Sequence, residues 1–218
     1  TLDLVGPRID WSPSCLLKKE ICLDSLHADT ITGTTAPSES DKGPSAGLQL
    51  PTLDIPISIR LADVRLGPFE LNQSRIWDRF ELEGSGSGAD WSLGRVSYRL
   101  ADYAVTASGQ ITTRGDWPVD LDVQASLPPP EGDQWLVSLQ LAGSVRSLRV
   151  NGTSKGYLSA SLAGQVSPLD PVLPAELTIR SDRFRGLSTL PSTLAFSDIR
   201  IEAKGSLKKG FRTQGQAT

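Results

Sequence analysis

Cys15 and Cys22 are the only thiols in this 218-residue chain, and their spacing is its most specific chemical signal. An even count, six intervening residues and no competing cysteine suit one disulfide formed in an oxidising compartment. The alternative is two free cysteines in a core. Closing so short a loop is worth about 2.5 kcal/mol on the chain-entropy model. A disulfide here would mean that the chain is exported.

Other reactive types are sparse. His27 is the single histidine, so general acid–base chemistry lacks its usual residue. Any Ser–His–Asp triad would have to use it. The run Gly84-Ser-Gly-Ser-Gly88 puts Gly86 where a nucleophile elbow needs serine. No Walker loop, His-Glu-x-x-His or Cys-x-x-Cys is present. Asp120 and Asp122 share a strand face, where paired carboxylates can move protons or hold a cation; the favoured reading is a solvated polar face. His27 and Asp29 offer two metal ligands, but a half-exposed strand histidine is favoured. Asn72-Gln-Ser74 and Asn151-Gly-Thr153 match the glycosylation sequon, which matters only in a eukaryotic secretory pathway. No catalytic residue, metal or cofactor is expected.

The elements that would position these groups are strands. Trp117, Val119, Leu121, Val123, Ala125 and Leu127 alternate with Pro118, Asp120, Asp122, Gln124 and Ser126. Successive strand side chains point to opposite faces, so this pattern gives one apolar and one wet face. Trp135, Val137, Leu139 and Leu141 repeat it. So do Leu173, Ala175, Leu177 and Ile179, and Ile55, Ile57, Ile59 and Leu61. The phase slips at Ala62-Asp63, which predicts a bulge or a turn. Further strands are expected at 2–11, 23–31, 91–99, 103–113, 145–151, 156–166, 194–204 and 206–217. Helix is confined to two windows, Pro13–Cys22 with Ser12 or Ser14 as cap, and Gln73–Phe80, which reads nearly as well as a strand end. Residues 32–51, rich in Ser, Thr, Pro and Gly, read as a long loop, and Gly84–Gly88 as a hairpin tip. The chain divides into first strands with the cysteine turn (1–31), that loop (32–51), and a repetitive sheet (52–218).

Composition excludes several classes. A net charge of −3 lacks the basic face of a nucleic-acid binder. No apolar run is long enough for a transmembrane helix. The chain begins at Thr1, has no Met, and still alternates over its last residues, so it reads as a piece of something longer. An internal repeat is visible. Ala107-Ser-Gly-Gln-Ile111 leads to Trp117-Pro-Val-Asp-Leu121, and Leu162-Ala-Gly-Gln-Val166 leads to Leu173-Pro-Ala-Glu-Leu177.

The apolar face sets an energetic problem. Roughly twenty large side chains at about 30–50 Å² each would expose on the order of 600–1,000 Å², more than a soluble monomer usually shows. Covering that area is worth roughly 15–25 kcal/mol at about 25 cal/mol per Å². A second sheet, closure into a barrel or an apolar ligand would supply the cover.

The segment Ile9-Asp-Trp-Ser-Pro-Ser-Cys15 to Cys22-Leu-Asp-Ser-Leu26, and the later stretch Ala107–Ile111 leading to Asp116-Trp-Pro-Val-Asp-Leu121, resemble the TamB family of AsmA-like, bridge-type lipid-transfer proteins. The likeness spans roughly residues 2–215. It implies an elongated, twisted antiparallel β-groove with an apolar interior, anchored through the whole protein in the bacterial inner membrane and working in the periplasm. It implies glycerophospholipid cargo and the TamA outer-membrane barrel as partner, met through regions outside this chain. The groove lining would be Ile55, Ile57, Ile59, Trp91, Trp117, Val119, Leu121, Val123, Trp135, Val137, Leu139, Leu141, Leu173, Leu177, Ile179, Ile199 and Ile201. The competing expectations are a closed β-sandwich scaffold and a chaperone for outer-membrane protein strands.

Overall fold

The computed structural model describes residues 1–35, 50–130, 132, 134–170, 172–184, 196–206 and 210–218, with the Arg183 side chain left aside. The fold is all-β. The expected loop at 32–51 lies outside the described residues over 36–49; its first residues, Thr32 and Gly33, belong to a strand.

The first unit runs to Gly115. Its larger sheet contains β2 (Arg8–Trp11), β3 (Glu20–Ala28), β5 (Ile55–Leu66), β8 (Arg79–Gly88), β9 (Asp90–Leu100) and β10 (Tyr103–Thr112), side by side in that order. A smaller sheet joins β1 (Leu2–Val5), β4 (Thr30–Gly33), β6 (Phe69–Leu71) and β7 (Ser74–Trp77). The expectation of a wholly antiparallel sheet fails at two pairs: β3 with β5, and β4 with β6, are parallel. Parallel neighbours need a long crossover. The chain between Ala28 and Ile55 supplies it, first adding β4 to the smaller sheet.

The second unit, from Asp116, is an antiparallel meander. It comprises β11 (Pro118–Leu127), β12 (Trp135–Ser144), β13 (Ser147–Lys155), β14 (Ala160–Val166), β15 (Pro174–Phe184), β16 (Phe196–Ser206) and β17 (Gly210–Gln216). Every strand pairs with its sequence neighbour, and β17 is an open edge.

Local signals explain the departures from expectation. The window Pro13–Cys22 yields a 3-10 helix over Pro13–Lys18, ended by Lys19 at φ 57°, whose N–H donates to Leu16 O at 3.0 Å. Ser12 is its N-cap but makes no side-chain cap; its hydroxyl donates instead to Asp24 at 2.5 Å. The window Gln73–Phe80 forms no helix. Asn72 and Gln73 both have positive φ, 49° and 68°, so they make a two-residue hairpin turn between β6 and β7. Asn72 is held there by its amide, which donates to the Thr35 hydroxyl at 2.8 Å. The slip at Ala62-Asp63 is a register shift between Leu61 and Val64 against β8. Trp117 and Leu173 stand before their strands rather than in them, both at φ 51° and both followed by proline. The two halves of the repeat thus share a backbone detail as well as a sequence pattern.

Cys15 and Cys22 are disulfide-bonded, with Cα atoms 5.9 Å apart. Cys22 is fully buried, and the Arg60 guanidinium lies 3.0 Å from its sulfur and 3.5 Å from that of Cys15. The bond ties the 3-10 helix to β3. Reducing it, or replacing both cysteines by serine, is expected to lower the stability of this unit by about 2.5 kcal/mol. Denaturant titration with and without reductant reads the change as an earlier unfolding midpoint.

Candidate functional site

In an antiparallel pair, residues directly opposite share a face. In the second unit this puts Leu121, Leu141, Val150, Gly164, Leu177 and Ala203 in one row across six strands. The next row is Val123, Leu139, Gly152, Leu162, Ile179 and Ile201. Beside them lie Val119 at one flank and Val137 opposite Ala125 at the other, with Ile199 opposite Ser181. The reverse face carries Asp120, Asp122, Gln124, Ser138 and Gln140, all exposed. Both carboxylates singled out above are therefore solvated, opposite Ala142 and Gln140.

The apolar rows are not level. Each row carries one glycine among larger side chains, Gly164 in the first and Gly152 in the second, and each glycine is overlain by its neighbour. A Cβ on Gly152 would fall 2.5 Å from Leu139 Cδ2, and one on Gly164 2.6 Å from Leu177 Cδ2. Leucines lie down across the glycines and fill the face laterally, within the layer. Trp135 ends the face. Its ring packs 5.6 Å from Tyr157, which meets Phe184 at 5.9 Å, and its N–H donates to Ser154 at 2.8 Å.

The first unit uses the same device. Ile21, Ile59, Gly86, Trp91 and Ile111 form one row, and Trp11, Leu23, Leu61, Gly84, Leu93 and Gly109 another. The Trp91 indole covers Gly86, where a Cβ would sit 2.5 Å from Cε3. Its N–H is withdrawn from solvent without a hydrogen-bond partner among the described residues. Most of the Gly84–Gly88 run is therefore not a hairpin tip: it lies in β8, where the Trp91 ring occupies the space above Gly86 and the Ser92 carbonyl the space above Gly84. The turn itself is Gly88 and Ala89, with Gly88 at φ 62°. Ile55 opposes Gly88, whereas Ile57 falls inside a register irregularity and is exposed. One end of this face is closed by the smaller sheet, through Phe69, Trp77 and Phe80 at ring distances of 4.6 and 5.5 Å.

Nothing else among the described residues covers either face. Buried apolar residues are few among the described ones: Cys22, Ala28, Ile31, Val64, Ala89, Val119 and Val150, of which Cys22 alone is fully buried. The expected lining residues divide accordingly. Val119 is buried; Ile55, Ile59, Trp91, Leu121, Val123, Trp135, Val137, Leu139, Leu141, Leu177, Ile179 and Ile199 are half-buried; Ile201 is exposed at the rim. Trp117 and Leu173 are half-buried beside their strands. Leu93, Ile111, Val150 and Leu162, which are not in the expected lining, sit in the same rows. Strict alternation within their short segments, Leu148-Arg-Val150 and Leu162-Ala-Gly164, was the signal that could have found them.

Among the described residues, His27 and Asp29 do not converge. His27 Nε2 lies 3.2 Å from Asp63, which also binds Arg65 at 2.8 Å, while Asp29 pairs with Arg8 at 3.0 Å. The histidine and its neighbouring aspartate thus turn to different partners. A shallow depression lined by Ser58, Ser85, Ser87 and Ser92 also meets Glu20, Asp90 and Gln110, and Trp91 and Ile111 of the apolar row.

Each unit thus presents an open sheet with one polar face and one half-exposed apolar face. A family model for the TamB N-terminal domain matches residues 46–217, and the chain belongs to that family. No curated protein and no solved structure matches it. Among the described residues no helix is long and apolar enough to cross a membrane.

The glycine arrangement makes a direct prediction. Gly164→Ala should cost about 1–3 kcal/mol, because its Cβ meets Leu177 and the Glu176 carbonyl. Gly94→Ala meets only ordinary contacts at 3.5 Å and beyond, and should change stability by less than about 1 kcal/mol. Paired denaturant titrations measure both.

Proposed function

We propose that this chain is a segment of a periplasmic lipid conduit. Its apolar faces hold the acyl chains of glycerophospholipids while the headgroups remain in water. The observation that carries this reading is the half-exposure of Leu121, Leu139, Leu141, Leu177 and Ile179 on a face that no described element covers. Each apolar side chain left in water forgoes roughly 25 cal/mol per Å², and an acyl chain laid along the rows removes that area from water. A lipid tail suits such rows: it is flexible, needs no polar partner and fits a path of variable width. Transport then needs no catalytic group, because the face substitutes for water along the way. The disulfide suits an oxidising periplasm. In this reading the whole protein is anchored in the inner membrane, and the TamA barrel is its outer-membrane partner through regions outside this chain.

A closed sandwich core is the weaker reading, since the described strands supply no second layer. A chaperone for outer-membrane strands draws its support from the open edge at β17, where all residues are exposed.

Purification without detergent, followed by solvent extraction and mass spectrometry, tests the proposal. Phospholipid is expected at about one molecule per chain or more. Leu139→Asp or Leu177→Asp should reduce that load several-fold while the strand spectrum is kept, because both sites are half-exposed. Gln140→Asp, on the polar face, should leave the load unchanged. Absence of phospholipid, or unfolding of Leu139→Asp as expected for a sealed core, would contradict it.

A further inference from the structure

Parity and register bring charged groups and both sulfurs to one spot on the polar side of the first unit. Glu20 and Cys22 are two residues apart on β3 and so share a face. The parallel pairing sets Cys22 beside Arg60 of β5. The 3-10 helix carries Cys15 back over that face, where the disulfide holds it. One Arg60 nitrogen donates to Cys22 Sγ at 3.0 Å and to Cys15 Sγ at 3.5 Å. A Glu20 carboxylate oxygen and the two sulfurs all lie within 4.8 Å of one another.

A neutral disulfide sulfur is a weak acceptor, so a guanidinium gains little there. A thiolate in the same place carries a full negative charge, and a cation donating from 3.0 Å holds it strongly. The arrangement therefore favours the reduced pair, with charge on Cys22. The Glu20 carboxylate opposes this, but the guanidinium is closer and donates directly. The two sulfurs also differ in access. Cys22 is fully buried, whereas Cys15 is half-buried on a turn whose residues Ser14, Leu16 and Leu17 are exposed. An incoming thiolate thus reaches Cys15 and leaves Cys22 under Arg60.

We propose that Cys15–Cys22 is a thiol–disulfide exchange site, attacked at Cys15 by a dithiol reductant. One thiolate of the dithiol bonds to Cys15 Sγ, the Cys15–Cys22 bond breaks, and its electron pair leaves on Cys22 Sγ beside Arg60. The second thiolate of the dithiol then attacks the dithiol's own sulfur in the mixed disulfide and expels Cys15 as a thiolate. The dithiol ends as a disulfide. Its two electrons have reduced the cysteine pair, and its two protons pass to that pair or to water. Reduction unties the 3-10 helix from β3, and oxidation runs the same steps backwards. The site acts whatever the apolar faces carry.

The oxidised 218-residue chain is equilibrated without denaturant in buffers of reduced and oxidised dithiothreitol and, separately, of glutathione. Acid quenching, alkylation and mass spectrometry then read the fraction reduced and the position of any mixed disulfide. Circular dichroism checks that each variant keeps its strands. Glutathione is expected on Cys15, with the alkylated thiol at Cys22. Arg60→Gln should make the pair about tenfold harder to reduce at equilibrium, a potential about 30 mV more negative, and should slow reduction as well. Glu20→Gln should act in the opposite direction and ease reduction. If the two side chains only packed the turn, both variants would loosen it and both would speed reduction, which overturns the proposal. Glutathione found on Cys22 overturns it too, as does an unchanged midpoint in Arg60→Gln. So does a parent disulfide that resists reduction until denaturant is added.

Discussion

A strand in a paired sheet cannot choose the faces of its side chains independently. Once one residue is in register, parity assigns all the others, and every neighbouring strand inherits the assignment. Leu121 opposite Leu141, Leu141 opposite Val150, and Leu177 opposite Ala203 are consequences of that single constraint. The polar face with Asp120, Asp122 and Gln140 is its complement. The two-sided character of both units therefore needs no packing partner to define it.

Glycine makes such a face workable. In a sandwich, side chains stand up from one sheet and interdigitate with the opposing one. Here Leu139 and Leu177 lie sideways over Gly152 and Gly164, and Trp91 over Gly86. The apolar atoms pack laterally within one layer, which lowers the exposed area without sealing it. The result is a smooth surface with an open side. Under the conduit reading proposed above, such a surface would suit a cargo that slides along it. The aromatic groups gather at the ends, at Trp77 and Phe80 in one unit and at Trp135 and Tyr157 in the other.

Much of this was legible in the residues. Period-two alternation located the long strands, the phase slip at Ala62-Asp63 marked a true register shift, and Cys15 and Cys22 pair as their spacing allowed. What escaped was information that is not local. The Gly84–Gly88 run looks like a loop because glycine usually signals freedom; here it signals the Trp91 ring on the next strand. The parallel pairing of β3 with β5 depends on where the chain returns after a long excursion, and no residue within either strand encodes that. Gln73–Phe80 carries helical spacing, but the positive φ of Asn72 and Gln73 commits it to a hairpin. Val150 and Leu162 fall outside the expected lining because Gly, Ser and Asn dilute the apolar alternation around them.

The central claim is that the apolar face touches acyl chains and the reverse face does not. A photoreactive residue placed in turn at positions 139 and 140, then at 121 and 122, tests it within living cells. Irradiation followed by mass spectrometry of the purified protein should find phospholipid adducts at Leu139 and Leu121, and none at Gln140 and Asp122. Adducts at both members of each pair, or at neither, would contradict the account.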